Sequence, residues 1–229
     1  MMPYKYLLFD LDHTLLDFDA AEDAALDALF AEQEVEDIQA LKAYYIPMNQ
    51  GMWRALERGE ITKQELVSTR FAKAFAHIGR ELDGVYLADR YQYFLSQQGQ
   101  TYPGVHELLD TLKDRGYKLY AATNGISGIQ RGRLAQSGLL ERFDALFISE
   151  EMGTAKPLAA YFEKIAEQID EFQPDQTVMI GDSLTADIPG GIDAGLTTIW
   201  VNFNQLENTS QWQPDYTVTD LEQLLTILD

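Results

Sequence analysis

Two aspartates, Asp10 and Asp12, stand one residue apart near the start of FDLDHTLL (residues 9 to 16). Along a strand the side-chain period is two, so both carboxylates point to one face and repel each other. A buried strand that ends this way needs a neutralising partner. Elsewhere TVMIGD ends on Asp182, with Asp187 five residues further on, KLYAATN ends on Thr123 and Asn124, and GTAKP presents Lys156. Carboxylates gathered without a histidine form an oxygen-rich set, which suits a hard divalent cation, Mg²⁺ retaining several waters. Such a cation would offset the repulsion between the acids and leave room for a phosphate oxygen as a further ligand.

Each residue also has a plainer reading. An aspartate at a strand end often serves as a helix N-cap or turn former, and for Asp187, just ahead of IPGGIDAG, capping competes with metal duty. Thr123 taken alone could be only a β-branched strand residue. Lys156 precedes Pro157 at a place that reads as a helix N-terminus, where the macrodipole disfavours a cation by roughly 0.3–1 kcal/mol. A local cost of that kind points to a use for the charge.

These residues meet in one crevice if the chain builds an open parallel sheet, because ligands of such sheets sit outside the carboxyl ends of the strands. Five short apolar segments fit the strands: the run entering FDLD, KLYAATN (118–124), ALFIS (145–149), TVMIGD (177–182) and TTIWVN (197–202). The third of these would add Ser149 and Glu150 to the same rim. Between them lie helical patterns with their own stop signals: GVHELLDTLKDRG after Pro103, IQRGRLAQSG ending at Gly138, and LAAYFEKIAEQI after Pro157. Alternating strand and helix predicts an α/β, Rossmann-like three-layer core with a parallel sheet of about five or more strands. The C-terminal SQWQPDYTVTDLEQLLTIL reads as a loop, a short edge strand and a closing helix.

Residues 18–98 break the rhythm: they hold no convincing strand, and their apolar positions recur at helical spacing. The expected organisation is therefore a core of residues 1–17 and 99–229 with an all-helical insertion, 18–98, between the first two strands. The net charge of −20 repels nucleic-acid polymers and anionic membrane surfaces, so an anionic substrate must be drawn by a local cationic site. The absence of cysteine removes disulfides, thiolate metal sites and cysteine nucleophiles. The apolar stretch at the N-terminus is far shorter than the roughly 20 residues a membrane span needs and runs straight into acids, so a cytoplasmic location is expected.

Taken together, DLDHTL (10–15), TN (123–124), Lys156 before Pro157 and GDSLTAD (181–187) resemble, in order and at matching strand ends, the four motifs of the haloacid dehalogenase-like hydrolase superfamily. The inserted helices resemble its helical cap. With Trp53, RGEIT (58–62), RF (70–71) and TNGISGIQRGRLAQSG, the likeness extends to the branch of pyrimidine nucleotidases that remove phosphate from nucleoside monophosphates. Two departures are His13, where glycine or another acid is more usual, and Pro189, early in the last motif's helix.

The resemblance implies a Mg²⁺-dependent phosphomonoesterase acting on a small phosphorylated metabolite. Asp10 would be the nucleophile and Asp12 the general acid and base. Mg²⁺ would be held by Asp10, Asp182 and the backbone carbonyl of Asp12, with Asp187 ordering the lysine or metal-bound waters behind them. Thr123, Asn124 and Lys156 would hold the phosphoryl oxygens and balance their charge. Dehalogenases expel halide, need no proton and lack an acid at the place of Asp12, so ester hydrolysis is favoured. A sugar-phosphate phosphatase, a phosphomutase and a non-catalytic phosphate binder of the same superfamily remain the alternatives. Substrate choice would fall to the insertion and its entry, with Phe18, Trp53 and Arg70 as specificity candidates beside Tyr44, Tyr45 and Phe71.

Overall fold

The computed structural model describes residues 4–229. Six strands, β1 (Tyr6–Phe9), β2 (Lys118–Thr123), β3 (Ala145–Ile148), β4 (Thr177–Gly181), β5 (Thr197–Val201) and β6 (Tyr216–Val218), form one sheet in the order β3-β2-β1-β4-β5-β6. All its pairings are parallel, with Leu7 opposite Leu119 on one side and Val178 on the other. Every residue of β1 is buried, as a central strand covered on both faces requires. Its side chains alternate between two cores. Leu7 and Phe9 join Leu119, Ala121, Val178 and Ile180 on one face, whereas Tyr6 and Leu8 join Tyr120, Ala122, Phe147 and Met179 on the other.

The chain packs as two compact units: the described residues up to Asp19 with Gly99–Asp229, and Ala20–Gln98. The second is all helix, carrying most of α1 (Phe18–Glu32) and then α2 (Ile38–Glu57), α3 (Lys63–His77) and α4 (Gly84–Ser96). Polar side chains start three of them: Asp37 accepts from the N–H of Ala40, Thr62 from Glu65, and Asp83 from Val85 and Tyr86. Inside it, the ring of Phe30 meets Tyr45 and Phe75 edge-on, and Tyr45 stacks on Phe71. Arg90 grips Glu32 through two nitrogens.

In the sheet-bearing unit, α5 (Val105–Asp114) turns Val105, Leu108, Leu109 and Leu112 to the core, an i, i+3, i+4, i+7 stripe. The same layer takes Leu134 of α6 (Ser127–Ser137), whose end is marked by Gly138 at φ 71°. The opposite face is covered by α7 (Ser149–Met152), α8 (Ala159–Gln168) and α9 (Asp187–Asp193). There Tyr161 satisfies its hydroxyl on the carbonyl of Phe147 at 2.6 Å. A β-carbon on Gly190 would lie 2.5 Å from the Phe162 ring, and one on Gly191 2.7 Å from Thr198, so α9 sits where only glycine fits. The short helix α10 (Gln223–Ile227) closes the first face through Leu224.

The chain leaves and re-enters this unit at one place. Leu16 bridges Thr101 antiparallel, and the N–H of Asp17 donates to the carbonyl of Gln100 at 3.0 Å.

Leu8, fully buried at the centre of the sheet, is expected to cost about 2–5 kcal/mol when truncated to alanine. Urea unfolding followed by circular dichroism checks this, and a loss below about 1 kcal/mol would contradict the packing described.

Candidate active site

Asp10 follows β1 directly, and its N–H donates to the carbonyl of Ile180 at 2.8 Å, extending the ladder to β4 by one residue. Strand order reverses between β1 and β4, which makes the crevice beyond their carboxyl ends the switch point of the sheet. Asp182 leaves β4 at that end, and Thr123 closes β2 beside it. Past Asp10 the chain makes a tight turn in which the N–H groups of Thr14, Leu15 and Leu16 all return to the carbonyl of Leu11. His13 sits in this turn at φ 58°, a left-handed conformation that explains why glycine suits the position.

Lys156 is 5% exposed, and its ammonium lies 2.7 Å from an oxygen of Asp10 and 2.7 Å from one of Asp187. It also donates to the carbonyl of Ala122. The helix after Pro157 begins only at Ala159, with Leu158 as N-cap, so the macrodipole expectation is corrected: the acids, and not a helix end, set the surroundings of this lysine. Asn124 holds the loop in place, with its side chain accepting from the N–H of Lys156 and donating to its carbonyl, both at 2.9 Å.

Asp187 does not cap its own helix. The helix starts from Ala186 with no side-chain cap; Ser183 Oγ accepts from the N–H groups of Thr185 and Ala186 in the turn before it, while an Asp187 oxygen accepts from the N–H of Ser183 at 2.9 Å. A β-carbon on Gly181 would lie 2.1 Å from the Asp187 carboxylate, so the missing side chain there is what lets this acid reach the crevice. Its other oxygen, Oδ1, meets Lys156 as an ion pair without hydrogen-bond alignment.

Asp10, Asp182 and Asp187 each offer an oxygen, and these lie within 4.8 Å of one another. Three carboxylates against one ammonium leave a negative surplus in an all-oxygen donor set, which fits a hard divalent cation. Asp187 lies in this cluster and meets Lys156, one of the groups it was expected to order, whereas the side chain of Asp12 points elsewhere. One oxygen of Asp12 takes a donor from Arg133, and the other accepts from Gln130 Nε2 at 2.8 Å.

Burial drives the electrostatics. It holds the Asp10 carboxyl well above the ordinary aspartate value, against the opposing pull of Lys156 and with help from Asp187 and Asp182. Burial, then the neighbouring Asp187, pushes Asp182 up to about 6. For Lys156 burial works against the charge, but Asp10 and Asp187 outweigh it and hold the ammonium more firmly than usual.

Phe18 places its ring 5.6 Å from the Arg133 guanidinium and 5.4 Å from the His13 ring. Trp53 is 39% exposed on α2. Arg70 is buried in the helical unit, with its guanidinium over the rings of Phe71 and Tyr91. Tyr44 stacks on His77. Ser149 and Glu150, which the strand-end reading placed on the rim, start α7 instead, and Glu150 accepts from the N–H of Ser127. Two residues were missed: Gln130 and Arg133, buried on the inner face of α6. Their signal is a polar pair at i and i+3 where the helical period places the core.

An open parallel sheet with an acid-lined switch point, a buried lysine and a helical insertion after the first strand defines a class of α/β hydrolase. A family model described as haloacid dehalogenase-like hydrolase matches residues 4–195, and the chain belongs to that family. It is 60% identical over 228 residues to pyrimidine 5'-nucleotidase PynA of Streptococcus pneumoniae, covering 100% of this chain and 96% of that protein. Pyrimidine 5'-nucleotidase YjjG of Escherichia coli is 32% identical, with 99% of each chain covered. Among solved structures, YfnB from Bacillus subtilis, bound to magnesium, superposes with a TM-score of 0.90 at 43% identity, covering 99% of both chains.

Asp182 keeps its proton up to about pH 6 in the fold, against an ordinary value of 3.8. Between those values the folded chain binds more protons than the unfolded one, so this group makes the metal-free protein less stable as pH rises through the window. A divalent cation needs the ionised carboxylates. Mg²⁺ is therefore expected to raise the melting temperature clearly at about pH 7.5 and little at about pH 4.5. Equal shifts at both, read by differential scanning fluorimetry, would remove this cluster as the metal site.

Proposed function

We propose that the chain is a Mg²⁺-dependent phosphomonoesterase that hydrolyses pyrimidine nucleoside 5'-monophosphates by way of a phosphate ester on Asp10. The observation that carries the reading is the Asp10 carboxylate, 8% exposed at the switch point, paired with Lys156 and within reach of Asp182 and Asp187. The pyrimidine substrate rests on the two nucleotidases to which the chain is similar over nearly its whole length.

Asp10, Asp182 and the backbone carbonyl of Asp12, joined by Asp187 directly or through water, would hold the metal. When bound, Mg²⁺ supplies positive charge to the phosphoryl oxygens. An oxygen of Asp10 bonds to phosphorus in line as the bond from phosphorus to the 5' oxygen breaks. Asp12 gives its proton to that oxygen, and the nucleoside leaves. The ionised Asp12 then takes a proton from water as the water oxygen attacks phosphorus. The bond to Asp10 breaks, releasing inorganic phosphate and restoring both acids.

The Thr123 hydroxyl and the Asn124 N–H donate to phosphoryl oxygens, and Lys156 balances the charge that builds on them. Splitting one difficult displacement into two is what the pair of acids achieves. A net charge of −20 repels polymeric phosphates, leaving Lys156 and the bound metal as the local attraction for a small one. Among the described residues no helix is long and apolar enough to cross a membrane.

Release of inorganic phosphate from a panel of nucleoside monophosphates and sugar phosphates is expected to favour the pyrimidine nucleotides and to stop with chelator. Asp10→Asn should lower kcat by about 10³-fold or more. Turnover undiminished by either treatment would refute the mechanism.

A further inference from the structure

We propose that Gln130 and Arg133 are positioning residues: from one face of α6 they set the carboxyl of Asp12 and, through Gln130, the hydroxyl of Thr123. The proposal rests on the reading of Asp12 as proton donor to the leaving group. Both side chains are buried, Gln130 at 1% and Arg133 at 0% exposure, and they stand at i and i+3, where helical side chains are neighbours.

Both hydrogens of one amide are committed, while its oxygen, Gln130 Oε1, is buried with no hydrogen-bond partner among the described residues. A carboxylate accepts only, so the atom of Gln130 facing Asp12 is Nε2, a donor. Its two hydrogens go to Asp12 Oδ2 at 2.8 Å and to Thr123 Oγ1 at 3.0 Å. Thr123 Oγ1 also accepts from the N–H of Gly125 at 3.1 Å. With both acceptor sites of that hydroxyl filled, its own hydrogen is left to donate, which is what a phosphoryl oxygen needs. The turn is shaped for this amide: a β-carbon on Gly125 would lie 2.5 Å from Gln130 Nε2.

Arg133 supplies the second anchor. One guanidinium nitrogen donates to Asp12 Oδ1, and the ring of Phe18 lies 5.6 Å from the guanidinium carbon. Its Nε and Nη2 have no hydrogen-bond partner among the described residues. A cation buried at that cost, where an apolar side chain of similar volume would pack without loss, is poorly explained by stability. It is well explained by fixing the direction in which Asp12 points. Asp10 pairs with Lys156 and Asp12 with Arg133, so the two acids of one motif are held by different cations.

The test compares kcat/KM for uridine 5'-monophosphate, whose leaving alkoxide needs a proton, with that for p-nitrophenyl phosphate, whose leaving phenolate does not. This constant reports steps only through departure of the leaving group. Asp12→Asn is the reference and should lower the nucleotide-to-aryl ratio. Arg133→Met is expected to lower the same ratio by about 10- to 100-fold. Gln130→Met should lower both constants, because it also frees Thr123.

Arg133→Lys, which keeps charge without the planar fork, should shift the ratio in the same direction at smaller amplitude, and it serves alone if Arg133→Met does not fold. An Arg133→Met or Arg133→Lys variant that leaves the ratio at the wild-type value, or a Gln130→Met variant that leaves both constants unchanged, overturns the positioning role. If instead Asp12→Asn itself leaves the ratio at the wild-type value, the proton-donor reading fails and takes this proposal with it.

Discussion

A single buried ammonium stands between acids that would otherwise drive each other apart. Two unit charges about 4 Å apart repel by roughly 4 kcal/mol at the effective dielectric of a protein surface, and burial makes the repulsion worse. Lys156 answers it from a loop 146 positions along the chain from Asp10. Its ammonium donates to Asp10 and to the carbonyl of Ala122 and meets Asp187 as an ion pair. The site exists only when the sheet has formed, because the acids and their one cation meet only once β1, β2 and β4 bring their ends together.

The surroundings follow from that constraint. Gly181 is bare so that Asp187 can cross it, Ser183 holds the turn before α9 through the N–H groups of Thr185 and Ala186, and Asn124 clamps the backbone of the lysine loop. One lysine cannot neutralise three carboxylates, and the remainder appears as the raised proton affinities of Asp10 and Asp182. A divalent cation removes that remainder. Asp12, two residues from Asp10, escapes the cluster because Arg133 and Gln130 draw its carboxyl aside. The two acids of the same turn thus keep different company, Asp10 with Lys156 and Asp12 with Arg133 and Gln130.

Much of this was legible beforehand. Apolar runs closing on Asp10, Thr123 and Asp182 marked strand ends, and the parallel order placed those ends together. The third such run was read one step too far, since Ser149 and Glu150 begin a helix. Lys156 drew notice through an assumed helix terminus that lies elsewhere, so the conclusion outlived its premise. Asp187 stayed ambiguous because an acid ahead of a helix looks the same whether it caps or reaches away, and only the contacts of its carboxylate with Lys156 and the N–H of Ser183 decide. Gln130 and Arg133 were hidden for a different reason: α6 carries Arg131 and Arg133 alike, and helical spacing alone does not say which of two nearby arginines turns inward. Arg70, Tyr45 and Phe71 read as a recognition surface, yet their rings and guanidinium pack on one another within the helical unit.

The adjacent exit and return of the chain at Asp17 and Gln100 has an architectural corollary. A parallel pair of strands needs a crossover, and α5 already provides one between β1 and β2. Everything from Ala20 to Gln98 is thus an appendix to a circuit complete without it, and joining its two ends costs little chain entropy whatever hangs between them. Such a junction behaves as a socket: the scaffold tolerates wholesale exchange of what is plugged in, so new recognition surfaces can be trialled by lineage or by engineer while the reacting groups stay put.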